Sequence, residues 1–218
     1  MRKLLRRSTF ADRRDAGRVL ARQLASYRGR TDLLVLGLAR GGVPVAWEVA
    51  AYLNAQLDAF LVRKLGVPDW SELAMGALAG GGALVVNRAL MDNLGISEEQ
   101  LQETIRVESV ELHRREQVYR GGRPPLETTG RTVVLVDDGL ATGATMFAAV
   151  RAVRAGMPAA VVVAVPVGSD STCRALRAEA DAVFCVCTPA EFSAVGQVYD
   201  DFRQTGDDEV QRLLAMPP

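Results

Sequence analysis

Five short runs of apolar residues, most of them rich in valine, constrain the fold of this chain more than any other feature of its sequence. They lie at 33–39, 59–64, 133–136, 160–167 and 182–187. Such runs, with little apolar/polar alternation, are typical of parallel strands that are covered on both faces. Helical patterns lie between them, at 12–28, 43–55, 144–156 and 170–180. We therefore predict an α/β fold with a parallel sheet of about five strands, flanked by helices and joined by right-handed crossovers.

The composition is that of a globular protein and argues against several classes of partner. Apolar residues make up 49% of the 218 residues and charged residues 24%, so we expect a single domain, 10–218, after an N-terminal extension, 1–9. The 26 basic and 26 acidic side chains cancel, which argues against nucleic acid as a partner. No run of about 18 apolar residues suggests a membrane span. Three cysteines fit a reducing cytosol, so we predict a cytoplasmic protein.

One region, about 88–128, interrupts the alternation of strands and helices and is predicted to be a helical insertion. Before it, residues 76–87 predict two short strands joined by three consecutive glycines, a flexible β-hairpin. Within it, residues 97–120 predict a long helix that begins with a capping box of Ser97 and Gln100. Most faces of this helix are densely charged, so we expect it to lie on the surface.

The segment VVLVDDGLATGATM, residues 133–146, runs from a predicted buried strand into a predicted helix. A loop of this kind brings free backbone N–H groups and the positive end of a helix to one place. Gly143 has no side chain to obstruct an anion, and Thr142 and Thr145 add hydroxyl donors. The pattern predicts a phosphate-binding loop, although it contains neither a Walker motif nor a dinucleotide fingerprint.

Two adjacent carboxylates, Asp137 and Asp138, stand between this strand and the loop. Carboxylates only accept hydrogen bonds, so a pair of them suits a vicinal diol with two donors. A diol beside a phosphate describes a ribose 5-phosphate. The alternatives are a helix-capping turn with a stray acidic pair, or a magnesium site alone.

Residues 133–146 closely resemble the signature of the type I phosphoribosyltransferases, which bind phosphoribosyl pyrophosphate (PRPP). The family pattern has four apolar residues, two acids, three variable residues and then Thr-Gly-x-Thr/Ser, and the sequence matches it throughout. The resemblance implies the type I phosphoribosyltransferase fold, with a small C-terminal hood at about 188–210. It also implies that Asp137 and Asp138 hold the ribose hydroxyls. The residues implied for the 5′-phosphate are Ala141, Thr142, Gly143, Ala144 and Thr145.

Two further segments resemble the pyrophosphate-binding elements of the family. Arg40, Gly41 and Gly42 follow the first strand, where paired glycines let the backbone approach the leaving group and permit unusual φ values. Arg63 and Lys64 end the second predicted strand, where the family often carries a cation for the pyrophosphate. The alternatives are a plain strand-to-helix turn for the first segment and a solvated strand end for the second.

Two variable elements of the family are also expected. Residues 66–76 correspond to a mobile loop that closes over the site and excludes water from the ribosyl centre. Phe192, Tyr199 and Phe202 belong to the hood, where they could stack on an aromatic acceptor. Packing of these three rings within the hood is the alternative that we favour.

The likeness extends to a group of bacterial phosphoribosyltransferases of about this length whose acceptor is not settled. It is carried by FxDRxxAG at 10–17, LxRGG at 38–42, VRKLG at 62–66 and FxAVGxxYxDF at 192–202. One departure concerns the acceptor. Hypoxanthine-guanine enzymes of the family carry an acid just before the Thr-Gly, and here that residue is Ala141, which argues against those two bases.

Other chemistries find little support in the sequence. His113 is the one histidine and lies on a charged helix, which argues against a catalytic triad or a histidine-rich metal site. Cys185 and Cys187 lie on a predicted buried strand without further zinc ligands, so we interpret them as core residues.

The resemblance thus implies a glycosyltransferase of nucleotide salvage, which transfers 5-phosphoribosyl from PRPP to a nitrogen acceptor such as a nucleobase and releases pyrophosphate. Asp137, Asp138 and Lys64 would be catalytic. Mg²⁺ would be held mainly by PRPP, with no direct protein ligand assigned. A homodimer is expected because dimers are common in the family. The alternative is a regulatory protein that senses PRPP or a nucleotide with the same fold and little catalysis.

Overall fold

The computed structural model describes residues 10–68, 70–121, 123–124 and 126–218, so the expected extension at 1–9 lies outside it. The strands in these ranges are β1 (Leu33–Leu38), β2 (Gln56–Phe60), β3 (Val62–Val67), β4 (Trp70–Ala79), β5 (Leu84–Val86), β6 (Thr132–Val136), β7 (Ala160–Val167) and β8 (Ala182–Cys187). The α-helices are α1 (Arg13–Gln23), α2 (Gly42–Leu53), α3 (Arg88–Leu94), α4 (Glu98–Arg120), α5 (Ala144–Ala155), α6 (Asp170–Leu176) and α7 (Asp207–Ala215).

The central sheet has five parallel strands in the order β2-β1-β6-β7-β8, which confirms the predicted architecture. Its strands lack alternation because both faces are covered. Val134 and Val136 pack with α1, α2 and α7, whereas Val133 and Leu135 pack with α5 and α6. Gly37 of β1 lies opposite Val136 of β6, so these two strands end side by side at one edge of the sheet.

The predicted second strand, 59–64, is divided at Leu61. Phe60 pairs with Leu38, the last residue of β1, and beyond it β2 has no parallel partner because the chain of β1 turns into α2. The chain then forms β3, which pairs with β4 in a separate antiparallel sheet of order β3-β4-β5. The prediction of one continuous strand at 59–64 is therefore wrong.

The antiparallel sheet also contains most of the segment expected to be a mobile loop. β4 begins at Trp70, so the described part of 66–76 forms the paired ends of β3 and β4. Beyond β4, a short 3-10 turn at Gly80–Gly82 leads into β5. The hairpin predicted at 76–87 is thus present, with a longer first strand.

The helical insertion is integrated into the main core by one face of α4. Ser97 and Gln100 form the predicted capping box, because each accepts a hydrogen bond from the backbone N–H of the other. Leu101, Leu112 and Tyr119 of α4 are buried in the same cluster as α2 and α7. None of the helices in the described part of the chain combines the length and apolar character that a membrane span needs.

Candidate active site

The loops that follow β1 and β6 meet at the edge where these strands end. A Cβ atom placed on Gly41 would lie 2.1 Å from Oδ2 of Asp138, and one on Gly42 would lie 2.9 Å from Cα of Asp137. Gly41 has an ordinary helical φ of −59°, so the expectation of unusual φ values is wrong for this residue. Glycine is needed there because the two loops approach closely. The Ala39–Arg40 peptide bond in the first loop is cis.

The acidic pair is partly buried and electrostatically unfavourable without a ligand. Burial raises the pKa of Asp137 well above its usual range, and the neighbouring charge of Asp138 adds to the effect. Burial also raises the pKa of Asp138, although the guanidinium of Arg13 opposes this. Arg13 Nε donates to Asp138 Oδ2 over 2.7 Å. Two carboxylates held together in this way favour ligands that donate hydrogen bonds or carry positive charge.

The loop after the acidic pair has the geometry of an anion cradle. Gly143 adopts a left-handed conformation, φ 75°, at the N-terminal cap of α5, and an added Cβ would meet Thr172 at 2.5 Å. The first turn of α5 contains no acidic residue, so nothing there opposes the positive end of the helix. Residues 139–146, with Asp137 and Val195, line a cavity of about 150 Å³. The five residues predicted to bind phosphate all lie along this cavity.

Arg40, which the sequence predicts to bind pyrophosphate, is held by an acid that sequence reasoning missed. Its Nη1 donates to Oδ1 of Asp207, the first residue of α7, over 3.3 Å. The hydroxyl of Tyr119 donates to the same oxygen over 2.6 Å. The hydrogen bond from Tyr119 and the charge of Arg40 lower the pKa of Asp207, while burial raises that of Tyr119 to about 12. No local motif marks Asp207 or Tyr119, because Asp207 is far along the chain from both Arg40 and Tyr119.

Arg63 and Lys64 point to opposite faces of β3, as successive residues of a strand must. Arg63 Nε donates to Glu108 of α4 over 2.6 Å. Lys64 is exposed and, with Thr145 and Asn87, lines a cavity of about 240 Å³ between the antiparallel sheet and the start of α5. The structure therefore brings Lys64 to the side of the phosphate loop and turns Arg63 towards α4.

The hood aromatics pack against one another. The rings of Tyr199 and Phe202 stack with their centroids 4.9 Å apart, and the guanidinium of Arg13 lies 4.0 Å from the Phe202 ring. Phe192 packs against the same small cluster, which also includes Phe10. These contacts support the packing alternative over stacking on an acceptor. Tyr199 also donates a hydrogen bond to the backbone oxygen of Asp138 over 2.6 Å.

The residues present fit Mg²⁺ carried by a phosphate substrate better than a metal cage built by the protein. No cluster of three or more His, Cys, Asp or Glu suited to a metal occurs within the described ranges. Mg²⁺ in phosphate-transfer sites usually keeps several waters and is bound by one or two carboxylates together with the phosphates of the substrate. The negative potential of the Asp137–Asp138 pair suits a cation brought in with such a substrate.

Comparison with known proteins assigns this arrangement to a family. The family model for the phosphoribosyl transferase domain matches residues 11–203. The chain therefore belongs to the phosphoribosyltransferase family, and its sheet and flanking helices have the type I fold.

The individual relatives agree with this assignment. Two proteins of Mycobacterium tuberculosis, one from each of two strains, are provisionally named phosphoribosyl transferases and are each 48% identical over 205 residues. The match covers 94% of this chain and 46% of theirs, so the chain spans less than half the length of these curated relatives. The crystal structure of TT1426 from Thermus thermophilus is 43% identical, with a TM-score of 0.84, over 94% of this chain and 97% of that one.

Proposed function

We propose that this protein transfers the 5-phosphoribosyl group of PRPP to a nitrogen acceptor and releases pyrophosphate. One observation carries the proposal: the acidic pair after β6, the paired glycines after β1 and the N-terminus of α5 meet at one edge of the sheet. That edge offers acceptors for a diol next to donors for a phosphate. The membership of the chain in the phosphoribosyltransferase family supports the same reaction.

Each part of the edge has a role in the proposed reaction. Asp137 and Asp138 accept hydrogen bonds from the ribose hydroxyls, and the loop 141–145 binds the 5′-phosphate through backbone N–H and threonine hydroxyl groups. Arg40, with the close backbone of Gly41 and Gly42, and Lys64 stabilise the charge that develops on the departing pyrophosphate. Arg63, also predicted to bind pyrophosphate, donates to Glu108, so this role would require it to leave that ion pair. Positioning and charge stabilisation would supply most of the rate acceleration.

Magnesium enters this proposal as the partner of PRPP. When bound, it would act as a Lewis acid on the phosphate oxygens and as a template for the substrate. The chain itself contributes acceptors beside it, Asp137 and Asp138, which hold the ribose in place.

The acceptor is proposed to be a nucleobase other than hypoxanthine or guanine. Ala141 occupies the position before Thr142 and Gly143, and a methyl side chain cannot exchange a proton with a purine. Transfer to adenine, uracil or orotate does not require an acidic residue at this position.

The test is pyrophosphate release from PRPP and Mg²⁺ with a panel of adenine, guanine, hypoxanthine, xanthine, uracil and orotate. Asp138→Asn should lower turnover by at least about 100-fold while the protein stays folded. Asp92→Asn, which changes an exposed aspartate of α3, is the matched control and should behave like the unaltered protein. Unchanged turnover in Asp138→Asn would contradict the proposed phosphoribosyl transfer.

If none of the six bases supports pyrophosphate release, the next experiment is direct titration of the protein with PRPP and Mg²⁺. Tight binding that Asp138→Asn weakens would favour a PRPP-sensing protein over an enzyme. Failure to bind PRPP would overturn both functions.

A further inference from the structure

Two sequence motifs from opposite ends of the chain meet at the acidic pair, and the reaction described above assigns neither of them a role. FADRRDAG occupies residues 10–17 and FSAVGQVYDDF residues 192–202. Their backbones join directly: the N–H of Phe10 donates to the oxygen of Val198, and the N–H of Asp200 donates to the oxygen of Phe10, each over 2.9 Å. The motifs thus form one structural unit.

Arg13 is the residue of the first motif that reaches the site. Its Nε donates to Asp138 Oδ2 over 2.7 Å, and its Nη1 donates to the backbone oxygen of Arg203 over 2.7 Å. Its guanidinium lies 4.0 Å from the ring of Phe202. The side chains of Arg13 and Asp138 are only 12% and 14% exposed. A planar guanidinium fixed at three points has little freedom, so it holds the carboxylate in one orientation.

The second motif and the β1 loop hold Asp138 from its other sides. Tyr199 donates to the backbone oxygen of Asp138 over 2.6 Å, and Gly41 lies against Oδ2 so closely that a Cβ there would be 2.1 Å away. Asp138 Oδ2 is thus occupied by Arg13 and crowded by Gly41. Oδ1 is the oxygen that remains for a ribose hydroxyl.

We infer that Arg13 is a positioning residue for PRPP: clamped between Phe202 and the hood backbone, it orients Asp138 so that Oδ1 faces the ribose. This inference rests on the proposed function and extends it to a residue outside the signature of the family. Arg13 acts through Asp138 and does not need to touch the substrate. A misplaced carboxylate loses its hydrogen bond to the ribose, because such bonds weaken steeply with distance and angle.

A double-mutant cycle with PRPP and Mg²⁺ tests the inference, with titration calorimetry as the readout. Arg13→Met, which keeps a long side chain over Phe202 and removes the donors, should weaken PRPP binding by about tenfold or more. In the Asp138→Asn background the same change should cause little further loss, because the residue through which Arg13 acts is already altered. Arg13→Lys keeps the charge without the planar fork and should recover part of the affinity.

Arg14→Met is the matched control, since Arg14 is also on α1, pairs with Glu48 and lies over the ring of Trp47. It should leave PRPP affinity unchanged, and thermal unfolding of every variant shows whether the protein is folded. Equal PRPP binding by folded Arg13→Met and the unaltered protein would overturn the inference. So would equal losses of affinity in the two backgrounds, which would indicate a general effect on packing.

The same experiment separates this inference from the proposed function. If the unaltered protein and Arg14→Met bind PRPP while Arg13→Met binds equally well, only the role of Arg13 fails. If the unaltered protein does not bind PRPP, the proposed function fails and the role of Arg13 falls with it.

Discussion

The two sides of the candidate active site differ in how they are held. The side proposed to bind ribose phosphate, residues 137–145, is contacted from several directions: Arg13 of α1, the glycines at the start of α2, Thr172 of α6 and the hood. On the other side, within the described ranges, the strands of the antiparallel sheet β3-β4-β5 pair only with one another. That sheet exposes three large apolar side chains, Trp70, Leu73 and Leu84.

This difference suggests that the two sides have different roles. Packing sets the geometry of residues 137–145, which is what the proposed catalysis by positioning requires. Within the described ranges no strand pairing joins the antiparallel sheet to the central sheet, and side-chain packing of Leu65, Met75 and Leu78 in the main core holds it in place. We propose that its outer end, residues 66–76, covers the substrate.

The largest expected effect comes from a change at the tightest contact between the two loops. Gly41→Ala places a Cβ 2.1 Å from Asp138 Oδ2 on a backbone whose φ of −59° accepts alanine, so the contact alone is disturbed. Displacement of the carboxylate should lower kcat/KM for PRPP by at least about 100-fold. The overpacking should cost about 1–3 kcal/mol of unfolding free energy. Steady-state kinetics and chemical denaturation measure the two effects.

Gly206→Ala is the control for this change. Gly206 has a φ of −79° and open space around its Cβ position, so alanine there should cost no more than about 1 kcal/mol, the typical loss at a helix N-cap. Wild-type kinetics in Gly41→Ala would mean that the loops separate easily and that the ribose side is not preorganised.

A smaller effect, of opposite sign for stability, is expected from Asp137→Asn. Burial and Asp138 raise the pKa of Asp137 in the folded state, so its contribution to stability is present below the unfolded pKa and is lost as pH rises through the folded pKa. Asparagine removes this penalty and can still accept the hydrogen bond from the N–H of Asp138. At pH 7 the variant should be more stable by about 1 kcal/mol, or about 2–4 °C in Tm.

The pH dependence of the difference in Tm provides the check for Asp137→Asn. The gain should shrink as the pH falls and disappear below about pH 4, where the unfolded carboxyl is also protonated. The exposed Asp92→Asn should show no such gain. A lower Tm for Asp137→Asn at pH 7 would contradict the idea that the acidic pair is held against its own repulsion.

The smallest effect is expected at the exposed start of β4. Trp70 is 61% exposed, so Trp70→Ser should change the unfolding free energy by less than about 0.5 kcal/mol. Met75, on the same strand, is fully buried, and Met75→Ala should cost about 2–5 kcal/mol. Chemical denaturation measures both. A large loss in Trp70→Ser would show that the start of β4 is firmly packed and would weaken the contrast between the two sides.

Local sequence was sufficient for much of the fold and for the conformation of the loop that leads into α5. The valine-rich runs, the capping box at Ser97 and the glycine at 143 each act through neighbouring residues, so periodicity and turn chemistry reveal them. The location of the acidic pair could be predicted in the same way, because the residues that follow parallel strands all lie at the same edge of the sheet.

The contacts that orient these groups could not be predicted in that way. Arg13 meets Asp138 across 125 positions of sequence, and Arg40 meets Asp207 across 167. The division of the second strand at Leu61, which turns Arg63 towards α4 and Lys64 towards the phosphate loop, depends on where β1 ends in space. Patterns along the chain record which residues are neighbours in a helix or strand. Which distant side chains come within hydrogen-bonding distance depends on how those elements pack.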